Sequence, residues 1–218
     1  MNEADLREEI CRVGLSLYQR HYVHASAGNI SVLLPADDGY LITPTDACLG
    51  HLNVKSIAKV DVNGQQISGD RASKTLTLHR SIYVAEPTAQ CVIHTHSTHL
   101  VALTLHDVLN PDDILPPITP YFVMKVGHVP FIPYHRPGDP KVGELITQKI
   151  RQMQARNTPI RAVMLDRLGP NVWHQSLAQA SAVLEELEET ARLYLMIKPT
   201  SLSDSQIQEL RDHFDAKW

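Results

Sequence analysis

Apolar positions along the chain alternate between two periods. Leu6, Ile10, Val13 and Leu17 recur at helical spacing, so residues 3–20 are predicted to form an amphipathic helix. A small-residue loop, Ala25-Ser26-Ala27-Gly28-Asn29, leads into an apolar strand from Ile30 to Leu34, and Tyr40 to Thr43 reads as a second strand. Val60-Asp61-Val62 and Gln65-Gln66-Ile67 flank Asn63-Gly64, which predicts a hairpin with a tight turn. Helices are expected over Leu76 to Ala85, Ser97 to Leu105, Lys141 to Ala155 and about Ser203 to Trp218. Cys91 to His96 and Ala162 to Leu165 read as buried strands. Leu177, Ala180, Leu184, Leu187, Ala191 and Leu195 mark a long helix, with Glu188 and Arg192 as an i,i+4 pair on its polar face. Residues 110–140 carry eight prolines but also the apolar runs Tyr121 to Met124 and Val129 to Ile132, which fits a stiff connector with short strands. The sum is an α/β chain, a mostly antiparallel sheet covered by helices, with residues 1–218 as one domain.

Composition narrows the function. A net charge of −4 without any Lys/Arg-rich block argues against nucleic acid as a partner. No apolar stretch reaches the roughly 18–20 residues that span a bilayer, so no membrane partner is expected. The N-terminus lacks a secretory apolar segment, and Cys11, Cys48 and Cys91 form an odd set without CxxC spacing. Both fit a cytoplasmic protein.

The chemistry concentrates in His94-Thr95-His96. Side chains at i and i+2 share one face of a strand, so the two imidazoles point the same way. They are either two ligands of a metal such as zinc or a hydrogen-bonded pair in a polar cleft. His99 follows one helical turn later and fits a supporting or capping role. Ser26 to Asn29 and Thr43-Pro44-Thr45 are hydroxyl-rich turns that either cradle phosphate oxygens or are ordinary turns. Ser73-Lys74, ahead of a helix, suits an anion or a simple N-cap.

Taken in order, Ser26-Ala27-Gly28-Asn29-Ile30-Ser31, Thr43-Pro44-Thr45, Ser68-Gly69-Asp70, His94-Thr95-His96-Ser97-Thr98-His99, Thr119-Pro120-Tyr121, Arg136-Pro137-Gly138-Asp139 and Leu184 to Thr190 resemble the class II aldolase/adducin family over about residues 5–200. Cys48-Leu49-Gly50, the Arg136 to Asp139 stretch and the Glu-rich helix are most similar to its 3-oxo-tetronate 4-phosphate decarboxylase branch, a relative of the fuculose-phosphate aldolases and ribulose-phosphate 4-epimerases. The resemblance implies a three-layer αβα sandwich and a homotetramer with sites at subunit junctions. It implies a zinc-dependent C–C lyase, an aldolase or decarboxylase acting on a small phosphorylated sugar or sugar acid through a metal-stabilised enediolate. His94 and His96 match its metal ligands, Tyr121 a catalytic tyrosine that serves a neighbouring subunit, and Asn29, Thr43, Ser73 and Lys74 the phosphate-binding region.

Three positions depart from the family pattern. Thr75 stands where a glutamate base is expected, Leu168 where a third zinc histidine is expected, and Asp46 where glycine is usual. Losing a general base costs about 10²–10⁴-fold in rate. Two imidazoles alone hold zinc less tightly than three, so the zinc is expected to be weak or absent. His135 is a candidate further ligand, or a surface-loop histidine. The alternative reading is a diverged, non-catalytic relative that binds a metabolite or a partner.

Overall fold

The computed structural model describes residues 1–35, 38–106 and 110–218. Among the described residues there are six α-helices: α1 (Glu3–Gln19), α2 (Leu76–Ala85), α3 (Thr98–Thr104), α4 (Lys141–Ala155), α5 (Leu177–Ile197) and α6 (Asp204–Phe214). Among the described residues the strands are β1 (Asn29–Leu33), β2 (Tyr40–Ile42), β3 (Ala58–Val60), β4 (Gln66–Ser68), β5 (Cys91–His94), β6 (Phe131–Ile132), β7 (Ala162–Leu165) and β8 (Gly169–His174). They make one sheet in the order β4-β3-β2-β1-β5-β8-β7-β6, antiparallel except for the β6/β7 pair.

Period-two alternation assigns each strand residue to one of two cores. Ile30, Val32, Leu41, Cys91, Ile93, Ala162, Met164 and Val172 pack with α1, α3 and α5. Tyr40, Ile42, Val92, Val163, Leu165 and Trp173 pack on the other face with α2 and α4. The result is the three-layer αβα sandwich expected from the sequence. By the same parity Asn29, Ser31, His94 and Asn171 belong to the α2/α4 face.

Several sequence expectations are corrected. The strand predicted over Cys91 to His96 leaves the ladder after His94, because the chain turns into α3 at Ser97, whose hydroxyl meets Thr95 Oγ1 at 2.6 Å. Strand β8 is unforeseen, since Gly169, Pro170 and Asn171 break the apolar pattern, yet it borders β5 throughout. Tyr121 to Met124 does not extend: Phe122–Val126 forms a π-helical turn against α5. The Asn63-Gly64 turn widens to a loop in which the Asp61 carboxylate accepts from Asn63 and Gln65 N–H. The last helix stops at Phe214, where Asp215 takes a left-handed φ of 53°.

Glu188 is the most informative correction. It does not pair with Arg192, which binds Glu189 instead. Its carboxylate is buried and accepts from the N–H groups of His99 and Leu100 at 3.0 and 3.1 Å, and from His99 Nδ1 at 2.8 Å. It thereby caps α3, whose own N-cap Ser97 makes no side-chain capping bond.

Candidate active site

Three central strands lay a polar row across the α2/α4 face. Asn29 on β1 and Asn171 on β8 are the cross-strand partners of His94 on β5, and all three are buried. A second row, Ser31–Val92–Trp173, lies behind it. From α2, His79 reaches down so that its Nδ1 and Tyr83 Oη each meet Ser31 Oγ at 2.7 Å. Three polar atoms of this face, Asn29 Oδ1, His79 Nε2 and Trp173 Nε1, are buried with no hydrogen-bond partner. Buried polar groups are normally paired, and exceptions cluster where a ligand or water belongs. Asn171, Ser31, His79 and Tyr83 were not singled out from the sequence. The i,i+4 spacing of His79 and Tyr83 on one helix face was the available signal.

The state of His94 is fixed by one bond. Its Nδ1 lies 2.8 Å from the Pro170 carbonyl, which can only accept, so Nδ1 carries the proton and Nε2 keeps its lone pair. Burial, and secondarily the neighbouring His96, push its pKa down to about 4, so it is neutral at neutral pH. Burial, with a contribution from His94, pushes His79 down to about 3. His96 is also lowered, by burial first and then by His24. The His94 and His96 rings are 5.0 Å apart between centroids at 68°. Two imidazoles sharing one tetrahedral ion at N–metal distances of about 2.0–2.1 Å place their centroids about 5 Å apart. The pair therefore fits a metal as two of its ligands.

Two glycines hold this segment. At Gly169, φ +114°, a Cβ would collide with the Thr95 carbonyl oxygen, and at Gly28, φ +84°, it would press on the His94 carbonyl. Only glycine suits both the backbone and the contact.

The other sequence candidates divide. Thr43 is fully buried and its Oγ1 accepts from Ile30 N–H at 3.1 Å, so its oxygen ties β2 to β1. Ser73 N–H donates to the Thr43 carbonyl at 3.3 Å, and Ser73 Oγ meets Thr75 Oγ1 at 2.8 Å. Asn29, Thr43, Ser73 and Thr75 thus form one contiguous backbone region leading to His94. Lys74 is exposed. Asp46 is exposed with a left-handed φ of 58°, which explains why glycine suits that position. Leu168 is half-buried against the α2/α4 core.

His135 and Tyr121 are not beside the pair in this chain. His135 faces Asp139 at 3.6 Å. Tyr121 is 61% exposed and lines a cavity of about 760 Å³ with Arg20, Arg161, His174 and Glu186. Among the described residues, no three His, Cys, Asp or Glu side chains converge on one point in their present rotamers. A cavity of about 900 Å³ lies elsewhere, between His128, Trp218, Tyr194 and Arg156. His94 itself is buried, and His96 is half-buried beside it.

Residues 8–195 match the Class II Aldolase and Adducin N-terminal domain. The chain is 56% identical to a 3-oxo-tetronate 4-phosphate decarboxylase of Cupriavidus necator, with 99% of each chain covered. It is 32% identical to an L-fuculose phosphate aldolase of Methanococcus vannielii, covering 87% of this chain and 94% of that one. Its fold is similar to the crystal structure of YgbL from Klebsiella pneumoniae, with a TM-score of 0.85 and 42% identity over 97% of this chain and 100% of that one.

Proposed function

The chain belongs to the class II aldolase and adducin family, and on that premise we propose that it is a lyase that decarboxylates a small phosphorylated 3-oxo sugar acid. The observation that carries this reading is the His94/His96 pair: rings 5.0 Å apart, with the His94 lone pair turned away from Pro170. His94 and His96 would hold a divalent ion, zinc in the first instance, and it would supply Lewis-acid polarisation of the substrate carbonyl. The chain's own residues do the rest. Pro170 locks the His94 tautomer. Asn29, with its free Oδ1, and the backbone around Thr43, Ser73 and Lys74 orient the substrate and its phosphate.

Thr75 favours decarboxylation over aldol cleavage. An aldol cleavage must remove a hydroxyl proton, which calls for a base such as a carboxylate. Thr75 offers only a hydroxyl, already bonded to Ser73. A 3-oxo acid ionised at its carboxylate needs no such base. The C1–C2 bond breaks, CO₂ leaves, the electron pair moves onto the C3 carbonyl, and C2 then takes up a proton. The product is a three-carbon ketose phosphate. In this reading Tyr121 supplies that proton in a neighbouring copy, within a cytoplasmic homotetramer, which accords with its exposure.

The test is CO₂ release from 3-oxo-tetronate 4-phosphate by metal-loaded protein, with loss of turnover on chelation and recovery on zinc addition. A second reading, a non-catalytic binder of the same metabolite, is favoured by Thr75 and Leu168. Tight binding of that compound with no CO₂ release at any metal loading selects it.

A further inference from the structure

Three imidazoles, not two, gather just past the end of β5. Beyond His94 and His96 comes His24, whose ring meets His96 edge-on at 76° with centroids 6.4 Å apart. That is about 1 Å more than two ligands of one tetrahedral ion require. The backbone beneath His24 is firmly placed. Its carbonyl accepts from Ala27 N–H at 2.9 Å, and the turn ends at Gly28, pressed against the His94 carbonyl. The side chain is free by contrast: exposed, and without a side-chain hydrogen bond among the described residues. A change of staggered rotamer at χ1 moves an imidazole by more than the gap that remains. His135, the other imidazole considered, faces Asp139.

We propose that His24 swings onto the ion held by His94 and His96 and completes a three-imidazole metal site, with the remaining position open to substrate. This rests on the metal reading above, which by itself supplies only two ligands. Three neutral nitrogens plus an open position is the donor set of a catalytic rather than a structural site. It also provides a hinge: the mobile ligand comes from the turn that leads into Asn29, so metal binding and ordering of the substrate loop are coupled.

The test is titration of the metal-free full-length protein with Co²⁺, read by its visible absorption, and Zn²⁺ affinity by competition with a chelator. Loss of second-sphere partners costs about 10–100-fold in metal affinity, so loss of a direct ligand in His24→Ala is expected to weaken zinc more than about 100-fold. Melting curves confirm that this exposed-turn variant is folded. His24→Cys should restore binding and add thiolate-to-cobalt charge-transfer absorption, which only direct ligation produces. Unchanged zinc affinity in His24→Ala, or a His24→Cys complex lacking that absorption, overturns the role of His24 while leaving the metal reading intact. Failure of the unaltered protein to take up one Co²⁺ per chain overturns both.

Discussion

Glu188 and the Asn29/His79 pair are both buried polar groups, on opposite faces of one sheet. On the α5 face every obligation of Glu188 is met, by two backbone N–H groups and the His99 ring. On the α2 face Asn29 Oδ1 and His79 Nε2 have nothing. A fully paired buried charge is architecture. Its removal leaves the groups it served unsatisfied, so it must stay for the fold. An unpaired buried polar atom costs stability. Such atoms also occur on α5, at Ser181 Oγ and Thr190 Oγ1, so it is their place beside His94 that ties Asn29 and His79 to chemistry.

The sharpest way to break the comparison is His94→Ala. Removing it is expected to lower kcat/KM by more than about 10³-fold, because the several kcal/mol of charge stabilisation that a metal supplies goes with it. Its unfolding free energy should change by less than about 2 kcal/mol. Chemical denaturation beside a CO₂-release assay checks both. Equal losses in stability and rate would erase the distinction between the faces. Glu188→Ala should do the reverse. Two N–H groups at the start of α3 lose their acceptor, and about 3 kcal/mol of stability goes with them. Cobalt uptake by the remaining folded fraction should be unchanged.

A pH series sharpens the same contrast. The folded pKa values of His79 and His94, about 3 and about 4, lie below the ordinary value near 6.5. The unfolded chain therefore binds more protons between those limits. Their contribution is complete above pH 6.5 and is lost as pH falls toward 4 and then 3. Metal-free protein should lose about 1 kcal/mol per pH unit for each histidine near pH 5. His79→Leu should remove about half of that slope in denaturation curves taken from pH 7 to 4.5. The smallest effect is expected at Asp46→Gly. Relief of its left-handed φ should add about 0.5 kcal/mol, and loss of an exposed, screened carboxylate should lower KM for a phosphorylated substrate by only about two- to three-fold.

Much of this was legible in the chain. The continuous apolar runs around Val92 and Val163 and the helical spacings of α1, α2, α4 and α5 reflect local burial, which sequence states directly. The closeness of the His94 and His96 rings was anticipated from their i,i+2 spacing, although the strand expected to carry both ends at His94. Strand β8 was not, because Gly169 and Pro170 serve a backbone contact with Thr95 and a carbonyl acceptor for His94, both set by tertiary packing. Glu188 misled because i,i+4 spacing to Arg192 is a local rule, and a helix cap 89 residues away from His99 overrode it. His24 could not be placed beside His96 until the loop before β1 was seen to close over β5.

Gly169 has a practical corollary for anyone wishing to retune this scaffold. The backbone is welded at that position, while the preceding side chain, Leu168, is only half-buried at the edge of the α2/α4 core. A directed library should therefore freeze 28 and 169 and randomise 24, 75 and 168. New donors can then be auditioned around the histidines without asking the central strand to move.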